Sequence, residues 1–243
     1  MISKQKIKFI NSLKHNKYRS KYNCFIAEGI HVVNDFVNSN FSIQEIYVTS
    51  KVENNFSHNV NLISYQELLK ISSFKNPPGV LAVVSKPNNN FTFKNILKKK
   101  QIILLDSISD PGNMGSIIRT ADWFGVDTIY ISENSVDVFN PKVVQSSMGS
   151  LSRVSVCQVS LLDVVSEIKS ENIICYSASI SGQSIYEIKP PDQFAVIFGS
   201  ESHGIADSIL RYINNPITIP TINQKIDSLN VSVAFGIILS QFR

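Results

Sequence analysis

From Gln101 onward the chain is punctuated by short, mainly apolar runs: QIILLD, DTIYIS, RVSVCQ, NIICYSA, FAVIFG and PITIP. A strand with one wet face alternates apolar and polar residues, whereas runs apolar at successive positions must be covered on both faces. With helical stretches between them, such runs build a buried, mostly parallel sheet flanked by helices on each side. The second half of the chain is therefore read as a doubly wound α/β domain. In sheets of this kind ligands bind beyond the carboxyl ends of the strands, so the loops that leave those ends are where chemistry is sought.

The first hundred residues have a different pattern. Periodicity predicts a helix near 4–14, a strand at CFIAEG, a helix from about Gly29 to Val37, and strands at IQEIYVT and VNLIS. A helix from Tyr65 and a strand at GVLAVVS complete a small α/β unit over residues 1–85. The stretch KPNNNFTFKNILKKK changes composition abruptly and reads as a linker over 86–100, leaving 101–243 as the second domain.

The net charge of +4 conceals a division between these halves. Residues 1–100 carry 15 lysines and arginines against 5 acids, and residues 101–243 carry 8 against 14. Lys4, Lys6, Lys8, Lys14, Lys17, Arg19 and Lys21 precede the first acid, with Tyr18 and Tyr22 among them. Basic residues interleaved with aromatics can neutralise phosphates and stack on bases; the alternative is a solvated basic helix face. The three cysteines, Cys24, Cys157 and Cys175, are scattered and support neither a zinc site nor a disulfide framework. No apolar run approaches the roughly 18 residues of a membrane span, and the basic start lacks a signal core, so a cytoplasmic protein without membrane attachment is expected.

Three loops could carry chemistry. In LLDSISDPGNMGSIIRTADWFG a buried strand ends at Asp106, a Pro-Gly turn follows, and a helix is expected from about Gly115 with Asn113 as its cap. Arg119 lies on that otherwise apolar helix, where it could bind a phosphate through two parallel hydrogen bonds or pair with Asp122 or Asp127. In FAVIFGSESHGIAD a strand runs into Gly199, Glu201 and Gly204, glycines that allow close backbone approach to a ligand beside a carboxylate. His203 in that loop reads as a solvated side chain. In ITIPTINQKIDSLNVSVA a polar stretch leads into a final helix capped by Asp227 or Ser228, with Asn230 in its first turn. No G-x-G-x-x-G follows the first strand of either half and no G-x-x-x-x-G-K-[ST] occurs, which excludes the common dinucleotide and NTP folds.

Taken together, NMGSIIRTA, FGSESHGI and IPTINQKIDSLNVSVA closely resemble the three motifs of the SpoU (TrmH) family of RNA 2'-O-ribose methyltransferases, in the SPOUT superfamily. Residues 1–85, with the basic start and FIAEGIHVV, are similar to that family's substrate-binding domain. The resemblance implies a deep trefoil knot in the catalytic domain, S-adenosylmethionine as cofactor, no metal, and a homodimer through the catalytic domains. It implies Arg119 as the catalytic arginine, with Asn113, Glu201, Ser228 and Asn230 around it. Cofactor contacts are expected at Gly199, Ile219, Leu229 and Gly204, and RNA contacts at Lys4, Lys14, Lys17, Arg19 and Lys21. The RNA is expected to be ribosomal, with transfer RNA as the alternative; a non-catalytic RNA-binding protein on the same fold is the other competing reading.

Overall fold

The computed structural model describes all residues except 1, 53–55, 57–59, 88–91, 223–226 and 243, so part of the expected linker lies outside the described residues. Two compact units emerge: residues 1–88 with 137–153, and residues 89–136 with 154–243.

In the first unit, α1 (Lys4–Ser12) and α2 (Asn16–Tyr22) lead into β1 (Cys24–Glu28), followed by α3 (Ile30–Val37), β2 (Ile43–Val48), β3 (Asn61–Leu62), α4 (Tyr65–Ile71) and β4 (Val80–Ser85). The sheet order is β1-β4-β2-β3, with β4 antiparallel to both neighbours and β2 parallel to β3. Alternation along β1 sorts its side chains. Cys24 and Ile26 join Ile10 and Leu13 in one apolar layer that also takes in Leu68 and Ile71 of α4, while Phe25 meets Phe36 of α3 on the other side. Ser64 starts α4 through a reciprocal capping box with Glu67.

The helix expected over 4–14 is present as α1, and a second helix follows it outside that span. α1 ends at Ser12, and α2, which the apolar pattern did not reveal, closes at Asn23 in the left-handed conformation. The buried residue of α2 is a charged one, Arg19, only 2% exposed. Its Nε donates to Asp137 Oδ2 at 2.8 Å, a terminal nitrogen stands 2.7 Å from the same oxygen, and the other donates to the Leu13 carbonyl at 3.0 Å.

That ion pair explains why residues 137–153 pack in this unit. Phe139 lies against Phe25 with ring centroids 4.7 Å apart, and Arg153 pairs with Asp35 at 3.1 Å. Gly149 is forced: a Cβ there would stand 1.9 Å from the Asp35 carboxylate, and its φ of +91° suits glycine. Asp137→Ala would leave the Arg19 guanidinium buried without its counter-charge, at a cost of about 3–5 kcal/mol. A clear fall in the urea midpoint is the expected reading; an unchanged midpoint would mean that the pair does not hold the segment.

The second unit contains α5 (Phe93–Ile96), β5 (Gln101–Leu105), α6 (Pro111–Trp123) and β6 (Thr128–Ile131). After α7 (Pro141–Ser146), which belongs to the first unit, come β7 (Ser155–Gln158), α8 (Leu161–Ser170), β8 (Ile174–Ser184), β9 (Phe194–Phe198), α9 (Asp207–Leu210), β10 (Asn215–Thr218) and α10 (Val231–Gln241). The six strands run in the order β10-β8-β9-β5-β6-β7, all parallel. The α/β architecture with a mostly parallel sheet is thus as the apolar runs predicted. β5 and β9 lie side by side, with Leu105 opposite Phe198, so the loops after them leave from one point. Among the described residues no helix is long and apolar enough to cross a membrane.

Candidate active site

The loop after β5 is built around two aspartates. Asp106, 4% exposed, accepts the Ala206 N–H at 2.9 Å and the Ser107 hydroxyl at 2.9 Å, tying this loop to the one after β9. Asp110 caps α6 by accepting the Asn113 N–H at 2.8 Å, and Pro111 occupies the first helical position, where a missing N–H costs nothing. The expected cap at Asn113 is therefore corrected: the helix starts four residues earlier than Gly115, and the Asn113 side chain is released for other contacts.

The loop after β9 folds on itself. Ser200 and Gly204 exchange backbone hydrogen bonds of 3.0 and 2.9 Å, and the Ser200 hydroxyl accepts the His203 N–H at 3.1 Å. A Cβ on Gly199 would stand 2.1 Å from the Gly204 carbonyl carbon, so glycine there serves the closure of the loop itself. Gly204 has a φ of +68°. Glu201 is held at the exposed tip of this turn, and His203 is exposed, as read from the sequence.

The third loop ends at Asn230, which caps α10 by accepting the Ser232 N–H at 3.0 Å and the Val233 N–H at 3.4 Å. Asp227 and Ser228 are not the cap. Both precede it as exposed residues, and Ser228 makes no hydrogen bond among the described residues.

These three loops converge through their side chains. Glu201 Oε1 accepts from Asn113 Nδ2 at 2.9 Å, from Asn230 Nδ2 at 2.8 Å and from the Val231 N–H at 3.4 Å. Asn230 Nδ2 also donates to Asn113 Oδ1 at 2.9 Å, closing a triangle. One carboxylate oxygen thus organises the first turns of α6 and α10, while Oε2 has no partner among the described residues. Charge-assisted bonds of this kind are about twice as strong as neutral ones.

Arg119 stands six residues beyond Asn113 on α6, exposed, and no hydrogen bond or ion pair holds its guanidinium among the described residues. Asp127, one partner considered for it, instead meets Lys99 at 2.7 Å. Of the five catalytic candidates, then, Asn113, Glu201 and Asn230 are joined, and Arg119 and Ser228 are not bonded to them. Leu229, 47% exposed, offers a main-chain N–H and C=O without partners among the described residues, and Ile219 is half-buried just past β10. Asp106, Asp110 and the Val231 N–H were missed by sequence reading; the Asp-Pro pair before the helix was the available signal for Asp110.

Residues 100–240, more than half of the chain and all three loops, match the SpoU rRNA Methylase family. The chain belongs to the SpoU rRNA Methylase family. Its residues 4–82 match the MRM3-like substrate binding domain, so this SpoU protein carries both parts in one chain. A relative from Bacillus subtilis, 23S rRNA (guanosine(2553)-2'-O)-methyltransferase RlmP, is 29% identical over 98% of this chain and 96% of its own length. A TrmH-family structure from Porphyromonas gingivalis is 32% identical and superposes with a TM-score of 0.89, covering 100% of this chain and 98% of the other. An AdoMet-bound rRNA methyltransferase from Sinorhizobium meliloti shares the fold, with a TM-score of 0.87 at 23% identity over 99% and 95% of the two chains.

Within the substrate-binding match, the structure divides the basic run. Lys4, Lys17 and Lys21 are exposed. Lys14 is half-buried and donates to the Ser72 carbonyl at 2.8 Å; burial lowers its pKa, against the pull of Glu28. Arg19 is corrected outright: buried on Asp137, it cannot face RNA.

Proposed function

We propose that this SpoU-family protein methylates a ribose 2'-hydroxyl in structured RNA, ribosomal RNA ahead of transfer RNA, with S-adenosylmethionine as methyl donor. The observation that carries the reading is the triangle of Asn113, Glu201 and Asn230, drawn from the three family loops, on the helix that presents an exposed Arg119. The printed name of the Bacillus relative supports 23S ribosomal RNA as the substrate. Calorimetry with S-adenosylmethionine, followed by transfer of a labelled methyl group to 23S RNA fragments, tests it; absence of cofactor binding would favour a non-catalytic RNA-binding protein.

The residues present fit such a cofactor. An adenine held by main chain needs free N–H and C=O groups beside an apolar side chain, and Leu229 offers both at the foot of α10. When bound, S-adenosylmethionine supplies an electrophilic methyl group that leaves its sulfur as a bond to the 2'-oxygen forms. The protein's part is placement, which can supply roughly 7–11 kcal/mol of the barrier. Arg119 is not the acceptor of the hydroxyl proton, because a guanidinium is a cation with five N–H donors and no acceptor. Its role is to bind the phosphate beside the reacting ribose and to stabilise the developing alkoxide, the proton leaving to phosphate or water. Asn113, Glu201 and Asn230 fix α10 against α6, and the open Oε2 of Glu201 is available to orient the Arg119 guanidinium once RNA arrives. Gly199, Gly204 and Ile219 shape the remaining cofactor contacts, and Ser228 lines the approach to them.

The same reading includes a trefoil knot, a homodimer and a cytoplasmic location. Supporting the knot, β10 is the strand beyond β8 at the sheet edge, yet Asn230, twelve residues after Thr218, bonds to Asn113 next to β5. Supporting the dimer, α10 (VSVAFGIILSQ) is apolar nearly all round, a composition that calls for cover, yet Val233 is 49% exposed. Sedimentation equilibrium decides the second point; a monomer at assay concentrations removes it.

A further inference from the structure

The lysines at the start of the chain do not act as one patch, and the structure shows where their outward face lies. On α2 the burial of Arg19 fixes the rotation of the helix, because three of its nitrogens are bonded to Asp137 and the Leu13 carbonyl. With Arg19 inward, two neighbouring stripes one turn long remain: Lys17 with Lys21, both exposed, and Tyr18 with Tyr22. The two tyrosine rings lie 6.2 Å apart with planes only 13° from parallel. Phe9 of α1 supports Tyr22 edge-on at 5.2 Å, and Lys21 Nζ stands 5.4 Å from the Tyr22 ring centre. Tyr22 is nonetheless 40% exposed. The nearest acid in sequence is Glu28, which is buried, and Glu45 is neutralised by Lys6 at 2.7 Å.

We propose that α2 docks an unpaired stretch of the RNA substrate, with bases on Tyr18 and Tyr22 and phosphates on Lys17 and Lys21. The site rests on the reading of this protein as an RNA methyltransferase, and it narrows the substrate to RNA that carries single-stranded nucleotides. A duplex hides the faces of its bases, so parallel aromatic rings are of use only to unstacked ones. The lysine stripe supplies the charge complementarity for the backbone that joins them. Because Arg19 already anchors the helix, its backbone and the paired rings are set before RNA arrives, which lowers the ordering cost of binding.

The test is fluorescence anisotropy on the full-length protein with a labelled single-stranded RNA of about 16 nucleotides, a length that spans a typical single-strand site, and with the same sequence closed into a hairpin duplex. The single strand should bind more tightly. Tyr18→Leu with Tyr22→Leu should weaken single-strand binding about tenfold or more with the salt slope unchanged, and Tyr18→Phe with Tyr22→Phe should restore it. Lys17→Gln with Lys21→Gln should lower the salt slope by about 1.4. Wild-type affinity in the leucine variant, or tighter binding of the duplex, overturns the proposal. S-adenosylmethionine affinity is measured in parallel. Loss of cofactor binding in the wild type would sink the enzymatic reading and leave the stacking result standing; wild-type methylation with an inert tyrosine pair would do the reverse.

Discussion

Arg119→Ala should slow methyl transfer by about 10²–10³-fold, the usual loss when one preorganised donor to a developing anion is removed. The side chain is exposed and unbonded among the described residues, so its removal leaves no partner stranded and the fold unchanged. Affinity for S-adenosylmethionine should stay within about twofold, because the role given to Arg119 is toward the RNA phosphate and the developing alkoxide and not toward the cofactor. Arg119→Lys separates charge from shape. A lysine retains the charge but offers no planar fork, so its rate should lie closer to that of alanine than to that of arginine. A near-normal rate for the alanine variant would falsify the role given to Arg119; a near-normal rate for lysine alone would reduce that role to a point charge.

Gly199→Ala should be nearly as damaging, for a different reason. The added methyl would stand 2.1, 2.3 and 2.4 Å from the Gly204 carbonyl carbon, the Gly204 oxygen and the Ile205 nitrogen, all backbone atoms that cannot swing aside. The loop must open, and Glu201 moves with it. A displacement of about 1 Å in a positioning group can cost on the order of 100-fold in rate. Gly125→Ala is the control, because Gly125 has no role in the site, its Cβ meets open space and the substitution carries only the left-handed backbone cost of roughly 1–2 kcal/mol. Equal activities for the two variants would show that the closure of the loop does not position Glu201.

The parallel sheet was legible because its strands are buried on both faces, as FAVIF of β9 is at every position. The polar half of β8 was not. Its pairing with β10 jumps from Ser177 to Gln183, and the residues between carry no apolar pattern to announce a strand. α2 escaped for the same reason, since the residue it buries is Arg19, whose partner is 118 positions away. Among the site residues, the identities of Asn113, Glu201 and Asn230 were readable from the family motifs. The cap of α10 was not, because Asp, Ser and Asn serve almost equally well and only the contact with Glu201 selects Asn230. Nor did composition reveal that Asp137–Arg153 packs with the first unit, because its ion pairs at the two ends and the Phe139–Phe25 contact join residues far apart in sequence.

The triangle is made from positions 113, 201 and 230, contacts that span 88, 29 and 117 residues of sequence. Domains begin to fold while synthesis is still under way, but this one cannot assemble its reaction centre until α10 has emerged and docked. Residue pairs so distant in sequence must close long loops before their contacts reward them, so the reaction centre forms late and depends on a sheet already in place.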